Sequence, residues 1–428
     1  MDDSRPCVKG ITRICARVRP RRCGLLALAI ASSLGSAALA QTSQSPVLLD
    51  PIPDARPDVP RVVLDASLRS RTLKSVTITP ESIRGREAGG KSVVIPRSEV
   101  LAIIPSLRPL GSVDASITQA SAMLRLTDGQ ALPGVPSSAL ADEAEAVAWE
   151  SSLLGPVQVP LDRLSMMILR PEARGVDRLR ATSSDMVLLL NGDMLDGYLE
   201  RVGPTITMEK DRKRSEIDRS RVVGIAFANP PTPASGAWAW FFDGSTIAAD
   251  RLEISVDGRV RLTPALSGAP TISRDANDVR AVLFDAARIR GLADAPWTLM
   301  PQTPARRWSP PPIVGEARHA ALFAADIEFP GPMGVEWSLP DRSVRFAMTA
   351  EMPPAARVWG DLDLVVGIAG NELGRYHLNA SNPTADINVS LGDSVPPGAR
   401  LSISVEAGPS GPIQDRVVLR RPMILLAK

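Results

Sequence analysis

A short turn motif recurs along this chain and constrains its fold more than any other feature. In each copy a strand-like apolar run ends in Asp-Gly or Asn-Gly, and both residues tolerate the positive φ that a tight β-turn needs. The copies are MLRLTDG (123–129), VLLLNG (187–192) and WAWFFDG (238–244). The segment VVLDAS (62–67) is a related copy without the glycine. A small residue stands five positions after each turn glycine, at Gly134, Gly197 and Ala249.

A second motif closes each copy, in which one apolar residue precedes a short polar stretch and a new apolar run. The copies are IPRSEVLAII (95–104), VPLDRLSMMIL (159–169), IDRSRVVGIAF (217–227) and ISRDANDVRAVLF (272–284). The leading residues of the four copies are Ile95, Val159, Ile217 and Ile272. Successive leading residues are 64, 58 and 55 positions apart. The next core residue follows after five positions, or after seven in the last copy, at Val100, Leu164, Val222 and Val279. Self-similarity at such a period indicates a repeat architecture.

Residues 60–290 are therefore expected to form four related β-modules. Each module is too small to bury much surface alone, so neighbouring modules are expected to share faces. One segment, 138–154, has a helix-like composition, but we expect a strand across Val147 and Trp149 because the other modules have one there. The approximate boundaries of the four modules are 60–105, 120–170, 185–228 and 238–285.

The modules resemble the short β-modules with an NGD turn and a closing h-P-x-x-x-V motif that occur in bacterial envelope proteins. That resemblance implies a small Sm- or SH3-like barrel and an envelope location, and it implies no activity.

The pattern changes after a proline cluster, so residues 291–312 are expected to form a linker. From 313 to 428 the chain contains six short alternating segments with turn signals between them, which is typical of a β-sandwich, here a jelly roll. The predicted fold class is therefore all-β: tandem small β-barrel-like modules followed by a C-terminal β-sandwich. The six segments are 322–329, 343–350, 362–369, 385–391, 400–407 and 416–426.

The order of these C-terminal segments is similar to that of the NPCBM family, carbohydrate-binding modules found beside some glycosidases. The best-matching positions are Gly398-Ala399, the alternating residues 401–405, Asp415 and Pro422-Met423-Ile424. The resemblance implies a galactose-binding-like jelly roll that contacts glycans through loops at one end. The chain departs from the family after the late aspartate, where Val418 and Leu419 replace an aromatic residue. The resemblance therefore supports the family's fold for this segment better than it supports the family's sugar binding.

The N-terminal residues 1–40 have the layout of a secretory signal peptide: arginines, an apolar run at 24–40 and a small-x-small end. An uncleaved membrane anchor is the alternative. All three cysteines lie in this segment, so none remains after cleavage for a disulfide, a thiol nucleophile or a metal. The segment has seven Lys/Arg and two Asp/Glu, a net of +5, so the whole-chain charge of +2 leaves −3 for the rest. Nucleic-acid binding therefore loses its electrostatic support.

Sugar recognition uses an aromatic platform with a few fixed polar groups. The tryptophan and tyrosine residues from position 303 onward are Trp308, Trp337, Trp359 and Tyr376. We predict a loop-end ligand site at Trp359, Arg375, His377 and Asn379; alternatively, Trp337 and Trp359 are packing residues and the polar side chains are solvated. Two short pairs, Asp361 with Asp363 and Asp386 with Asn388, suit calcium in residue type but are better explained as solvated faces.

We therefore predict a non-catalytic extracytoplasmic protein, periplasmic or secreted, whose β-modules are a spacer that presents a carbohydrate-binding module to glycans or cell-envelope polysaccharide. We expect no cofactor or metal, because the only histidines are His319 and His377 and no nucleotide-binding or hydrolase motif is present. One alternative is an envelope assembly protein with protein partners, and a less favoured one is a cryptic glycosidase. Membrane contact is expected only through an uncleaved N-terminal segment.

Overall fold

Each recurring turn lies between the first two strands of a five-stranded antiparallel unit, which we call a barrel. All described residues fall in one unit of the chain, Ser45–Lys428. The expected signal segment 1–40 lies outside the described residues. The computed structural model describes residues 60–79, 81–106, 122–137, 145–255, 259–301, 310–315, 320–392, 395–409 and 411–428.

The first two barrels have the same strand order. In both, the fifth strand pairs with the first, and the first four strands pair in sequence. Barrel 1 has β1 (Arg61–Asp65), β2 (Ser70–Ile78), β3 (Ser82–Arg86), β4 (Ser92–Pro96) and β5 (Val100–Pro105). Barrel 2 has β6 (Met123–Leu126), β7 (Ala131–Pro136), β8 (Ala146–Ser151), β9 (Gly155–Pro160) and β10 (Leu164–Ile168). Strand β8 contains Val147 and Trp149, as predicted.

The next two barrels repeat this order. Barrel 3 has β11 (Asp185–Leu189), β12 (Met194–Val202), β13 (Thr205–Lys210), β14 (Lys213–Asp218) and β15 (Val222–Ala226). Barrel 4 has β16 (Ala237–Phe241), β17 (Thr246–Ile254), β18 (Arg259–Pro264), β19 (Ile272–Asp275) and β20 (Val279–Leu283).

The turn that begins each barrel requires a residue with positive φ. In barrel 3 this residue is Gly192, with φ of 89°, and the Asn191 side chain accepts a hydrogen bond from the backbone N–H of Asp193 at 3.1 Å. In barrel 1 the corresponding residue is Leu68, with φ of 55° and a buried side chain. Barrel 1 therefore keeps the turn geometry without glycine, and its leucine side chain contributes to a core instead.

The closing motif forms a one-turn 3₁₀ helix before the fifth strand. These helices are Arg97–Glu99, Leu161–Arg163, Arg219–Arg221 and Ala276–Asp278. The leading apolar residue pairs with a core residue of the third strand, as Ile217 does with Ile206 and Ile272 with Leu262. In barrel 4 the two additional residues lengthen β19 beyond Ile272, which explains the seven-residue spacing.

The barrels associate through their last strands. Strand β10 pairs with β15, so barrels 2 and 3 share a sheet, and β5 pairs with β20, so barrels 1 and 4 do the same. Thr246 of barrel 4 pairs with Ala131 of barrel 2. The spatial order is therefore 1-4-2-3, which differs from the order along the chain.

The C-terminal part is a sandwich of a six-stranded and a five-stranded sheet. The first contains β21 (Ile289–Gly291), β23 (Ile313–Val314), β24 (Ile327–Phe329), β26 (Ser343–Glu351), β29 (Thr384–Ser390) and β31 (Val417–Leu426). The second contains β22 (Trp297–Leu299), β25 (Met333–Ser338), β27 (Asp361–Ile368), β28 (Asn371–Asn379) and β30 (Arg400–Ala407). Within the described residues, further 3₁₀ helices are Val176–Arg178, Ala286–Arg288, Leu292–Asp294 and Ala321–Phe323.

The predicted fold class, β-barrel-like modules followed by a β-sandwich, is confirmed, but two details of the sequence interpretation need correction. The expected linker 291–312 supplies β22, which pairs with β25, so the sandwich begins with β21 rather than at 313. The expected strand 322–329 is a strand only over Ile327–Phe329. Short strands of this kind escape a search for alternation because they are too brief to show a period.

The sandwich core lies between its two sheets. Barrels 1 and 4 pack against the outer face of the six-stranded sheet. In the core, the rings of Phe329 and Trp337 stack with centroids 6.1 Å apart, and Trp337 is fully buried. At this interface, the rings of Trp238 and Trp240 of barrel 4 contact the ring of Phe323 edge-on, with ring centroids 4.9 and 5.2 Å apart. The barrels are therefore packed against the sandwich through an apolar interface.

Candidate functional site

One end of the sandwich exposes large apolar side chains. Trp359 is 65% exposed, and Val358 and Ile413 are also exposed. Trp359 belongs to the loop 352–360 between β26 and β27, and Ile413 belongs to the loop 408–416 between β30 and β31. An exposed indole on a structured loop offers a flat apolar surface to a ligand.

The two loops are held together by hydrogen bonds, one from a backbone group to a side chain and one between backbone groups. The carboxylate of buried Asp415 accepts a hydrogen bond from the backbone N–H of Asp361 at 3.2 Å, and the carbonyl of Asp361 accepts one from Gly408 at 2.7 Å. A Cβ atom on Gly360 would lie 2.3 Å from Met352 Cε and 2.9 Å from the carbonyl oxygen of Gln414. Glycine is therefore required beside Trp359, and the loop that carries the indole is fixed at its base.

A row of charged side chains lies on the outer face of the five-stranded sheet next to this end. In the register of β27 and β28, Asp363 pairs with His377 and Val365 with Arg375. On the other side of β27, Asp363 pairs with Glu406 of β30. Alternate residues of a strand share a face, so these side chains converge although they are distant in sequence.

Arg375 connects three carboxylates on this face. Its guanidinium donates to Glu406 at 2.6 Å, to Glu372 at 3.0 Å and to Asp363 at 3.3 Å. The hydrogen bonds to Glu406 and Glu372 raise the pKa of Arg375 above its ordinary value. The network limits the rotamers of these partly exposed side chains.

His377 lies between two aspartates. Its Nδ1 is 2.9 Å from Asp363 Oδ1, and its Nε2 is 3.1 Å from Asp361 Oδ1. Both ring nitrogens can donate only when the imidazole is protonated, because neutral histidine carries a single N–H. The ring is half exposed and the Asp363 side chain is partly exposed, so a ligand hydroxyl can compete for Asp363, whereas Asp361 Oδ1 is buried.

Asn379 has a structural role at the end of β28. Its side-chain oxygen accepts hydrogen bonds from the backbone N–H groups of Ser381 and Asn382, each at 2.9 Å. The amide of Asn382 donates in turn to the carbonyl of His377 at 3.2 Å. Asn379 therefore fixes the turn that borders the site.

The structure brings some of the predicted residues together. Arg375 and His377 share Asp363 as a partner, and Asn379 pairs with Asp361 in register. Trp359 is two residues before Asp361, so their Cα atoms are at most about 7 Å apart. The expectation of a loop-end cluster is wrong for Arg375 and His377, which lie on the face of β28. Glu406 and Glu372 were missed because only strand register places them there.

The two Asp/Asn pairs that suit calcium do not form a joint site. Asp361 and Asp363 lie on the five-stranded sheet, whereas Asp386 and Asn388 lie on the six-stranded sheet. Asp386 accepts a hydrogen bond from Thr349 at 2.7 Å, and the Asn388 side-chain oxygen accepts one from Arg345 at 2.8 Å. Within the described residues no group of three or more His, Cys, Asp or Glu side chains is arranged to hold a metal ion.

Two other predicted features fall outside the structural description. Trp308 and His319 both belong to segments that are not among the described residues. In the part of the chain that is described, no helix has the length and apolar character needed to cross a membrane.

Comparisons with known proteins give distant similarities only. No protein-family model and no curated protein matches the chain. A CBM51 module of GH95 from Clostridium perfringens, solved with methyl-galactose, covers 23% of this chain and 69% of its own, with 10% identity and a TM-score of 0.21. The CBM51-2 and INT domains of ZmpB from Clostridium perfringens, solved with GlcNAc, match 44% of this chain and 43% of theirs, with 9% identity and a TM-score of 0.26.

A third similar structure covers more of the chain. The tandem CBM51 modules of Sp3GH98, the family 98 glycoside hydrolase from Streptococcus pneumoniae SP3-BS71, match 86% of this chain and 88% of theirs. The identity is 9% and the TM-score 0.25. At these values the similarities assign neither a family nor a function to the chain.

Proposed function

We propose that this protein is a non-catalytic carbohydrate-binding protein that works outside the cytoplasm, with the tandem barrels supporting a glycan-binding sandwich. The observation that carries the proposal is the exposed Trp359, fixed at its base by Asp361 and Asp415, at the edge of a row of immobilised polar groups. This combination of a flat apolar surface and several oriented hydrogen-bonding groups suits a sugar ring.

The chemistry of each part fits a sugar. The C–H face of a pyranose packs on an indole, and that contact buries apolar area on both sides. Asp363 presents acceptor oxygens, and His377 presents a ring N–H, to hydroxyl groups. Because Arg375 and the turn at Asn379 hold these groups in place, a ligand loses less free energy to ordering them.

The sequence supports the same proposal independently. The C-terminal segments resemble the NPCBM family, whose jelly roll contacts glycans through loops at one end, and Trp359 occupies a loop at one end of this sandwich. Asp415, one of the positions that carry the resemblance, is the residue that anchors the Trp359 loop. The arginines and the apolar run of residues 1–40 support a location outside the cytoplasm.

The test is a glycan array and a polysaccharide pull-down with the purified protein. Methyl-galactose, GlcNAc and β-1,4-galactotriose, the sugars in similar structures, are included as soluble probes. We expect saturable binding that Trp359→Ala weakens at least about tenfold and His377→Ala weakens less. Tyr198→Ala is the matched control, because Tyr198 is an equally exposed aromatic residue in barrel 3.

Two results would overturn the proposal. One is the absence of saturable binding to any glycan by a folded sample, and the other is binding that Trp359→Ala leaves unchanged. The first result favours an envelope assembly function, and the second places glycan binding elsewhere on the protein. The observation behind that second candidate is the pairing of barrels through their last strands, β5 with β20 and β10 with β15, because strand pairing is also a way in which sheets bind protein partners.

A further inference from the structure

A cleft separates barrel 1 from the six-stranded sheet of the sandwich. Its volume is about 650 Å³, within the range of about 300–1,000 Å³ typical of small-ligand sites. Strands β1 and β2 form one wall, and β26, β29 and the bend of β31 form the other. The cleft therefore exists only where the barrel and the sandwich meet, and neither part contains it alone.

The two walls are fixed to each other by hydrogen bonds to backbone carbonyls. The side-chain amide of Asn388 on β29 donates to the carbonyl of Leu68 at 2.9 Å and to that of Ser67 at 3.3 Å. The guanidinium of Arg421 on β31 donates to the carbonyl of Pro105 at 3.1 Å. The spacing of the walls is therefore set before any ligand arrives.

Buried charges form the floor of the cleft. Arg420 is 2% exposed, and it donates to Asp326 at 2.6 Å and to Glu351 at 2.8 Å. Glu351 also accepts from Arg357 at 2.9 Å, and Arg357 reaches the surface. Replacing such a network by apolar residues is often neutral or stabilising, so its presence is not explained by stability alone.

The backbone beneath these charges is strained. The register between β26 and β31 shifts by one residue between Ala347 and Thr349, which marks a bulge around Arg420 and Arg421. Arg421 has φ of 48°, an unfavourable value for a residue with a side chain. Bulges and strained residues concentrate at binding sites, where they redirect side chains. Here the bulge directs Arg420 to the sandwich acids and Arg421 to barrel 1.

The cleft reaches the loops at the end of the sandwich that carries Trp359. Arg357, which lines the cleft, precedes Trp359 by two residues in the same loop. Pro383 and Thr384 also line the cleft, and they follow Asn382, whose side chain bonds the carbonyl of His377. Loop 352–360 and the turn after Asn379 therefore connect the cleft, on the six-stranded sheet, with the proposed sugar site on the five-stranded sheet.

We propose that the cleft extends the Trp359 site, so that the protein binds a chain of several sugar units, with barrel 1 contacting the units beyond the first. This inference rests on the proposed carbohydrate function. The wall from barrel 1 offers apolar surface at half-buried Val62 for the C–H face of a sugar ring, and Arg357 and Asp386 offer charged groups for hydroxyls. The barrels are then part of the binding surface as well as its support.

The test measures affinity against chain length by calorimetry. The probes are β-1,4-linked galactose and β-1,4-linked GlcNAc oligomers of one to five units. Ser70→Trp places an indole in the cleft from β2, where Ser70 is exposed and lines the cavity. The matched control is Ser215→Trp, at an exposed serine of β14 in barrel 3. Arg69→Ala, also at the cleft wall, is the second variant in case the tryptophan disturbs folding.

We expect the affinity of the wild type to rise about tenfold or more between one and three units. Ser70→Trp should remove that gain without changing the affinity for the single sugar, and Arg69→Ala should reduce it. Affinity that is independent of chain length, or a gain that Ser70→Trp and Ser215→Trp leave equally intact, would overturn the inference while the Trp359 site stands. Absence of any sugar binding, or single-sugar binding insensitive to Trp359→Ala, overturns the proposed function and this inference with it.

Discussion

Gly224 on the last strand of barrel 3 lies directly opposite Ile168 on the last strand of barrel 2. A Cβ atom on Gly224 would lie 2.9 Å from the carbonyl oxygen of Met167 and 2.8 Å from Leu179 Cδ2. The missing side chain is therefore what allows the two barrels to approach closely enough to share a sheet.

Gly224→Ala should consequently destabilise the protein. Forcing a methyl group into a packed backbone contact costs about 1–3 kcal/mol, and urea unfolding followed by circular dichroism measures it. Gly331→Ala is the matched control, because a Cβ there meets no atom within 4 Å. Equal unfolding midpoints for the two variants would contradict the close contact between the barrels.

Replacement by alanine should reduce stability at Trp337 and sugar binding at Trp359. Trp337 is fully buried against Phe329, so Trp337→Ala should cost about 3–5 kcal/mol of unfolding free energy. Trp359 is exposed, so Trp359→Ala should change stability by less than about 0.5 kcal/mol and act on sugar binding alone. Thermal unfolding and glycan binding, measured on both variants, separate the two roles. A large loss of stability in Trp359→Ala would assign that residue to packing.

Removing Arg420 should be far more damaging than removing an exposed arginine. Arg420→Ala leaves Asp326 and Glu351 buried without their shared cation, a change that typically costs about 3–5 kcal/mol. Arg400→Ala is the control, because its ion pair with Glu336 is half exposed and such pairs contribute about 0–1 kcal/mol. Similar losses in both variants, measured by chemical denaturation, would contradict a buried network at the cleft floor.

The pH dependence of barrel 3 should include Asp218. Hydrogen bonds from the hydroxyl and the backbone N–H of Ser220 lower the pKa of Asp218. Because this pKa is lower in the folded state, the ionised Asp218 stabilises the folded protein at pH values above its unfolded-state pKa, about 3.9. That stabilisation is lost as the pH falls through the folded-state pKa. Ser220→Ala should therefore raise the pKa of Asp218 in an NMR titration.

The stability difference between the wild type and Ser220→Ala should then exist near neutral pH and vanish in acid. Ser215→Ala, three positions before Asp218 on β14, is the control. A pKa of Asp218 that both substitutions shift equally would show that the Ser220 hydroxyl is not the cause.

Much of the fold could be predicted from the sequence, because it depends on local backbone preferences. The Asn191-Gly192 turn and the spacing from Ile217 to Val222 are set by backbone preferences and strand period, which act over a few residues. The same rules identified the related segments of the other barrels. The short strands β21 and β22 were missed because three residues cannot display a period.

The candidate site could be predicted only in part from the sequence. Arg375, His377 and Asn379 share a strand face because alternate residues of a strand always do. Their partners Glu406 and Asp363 come from other strands, and the register that aligns them depends on how the whole sandwich closes. The role of Asn379 in shaping the turn also required the structure, since an asparagine in a polar segment suits binding and capping equally.

The sequence by itself determined the all-β class and the β-rich segments, because alternation, turn residues and motif spacing are properties of neighbouring residues. Only the tertiary structure decided the 1-4-2-3 order of the barrels, the burial of Trp337 against the exposure of Trp359, and the cleft between barrel 1 and the sandwich. These features depend on contacts between elements that are not neighbours along the chain, such as Asn388 with Leu68, 320 positions apart. A single sequence carries no local signal for such contacts, because they form only when complementary surfaces meet.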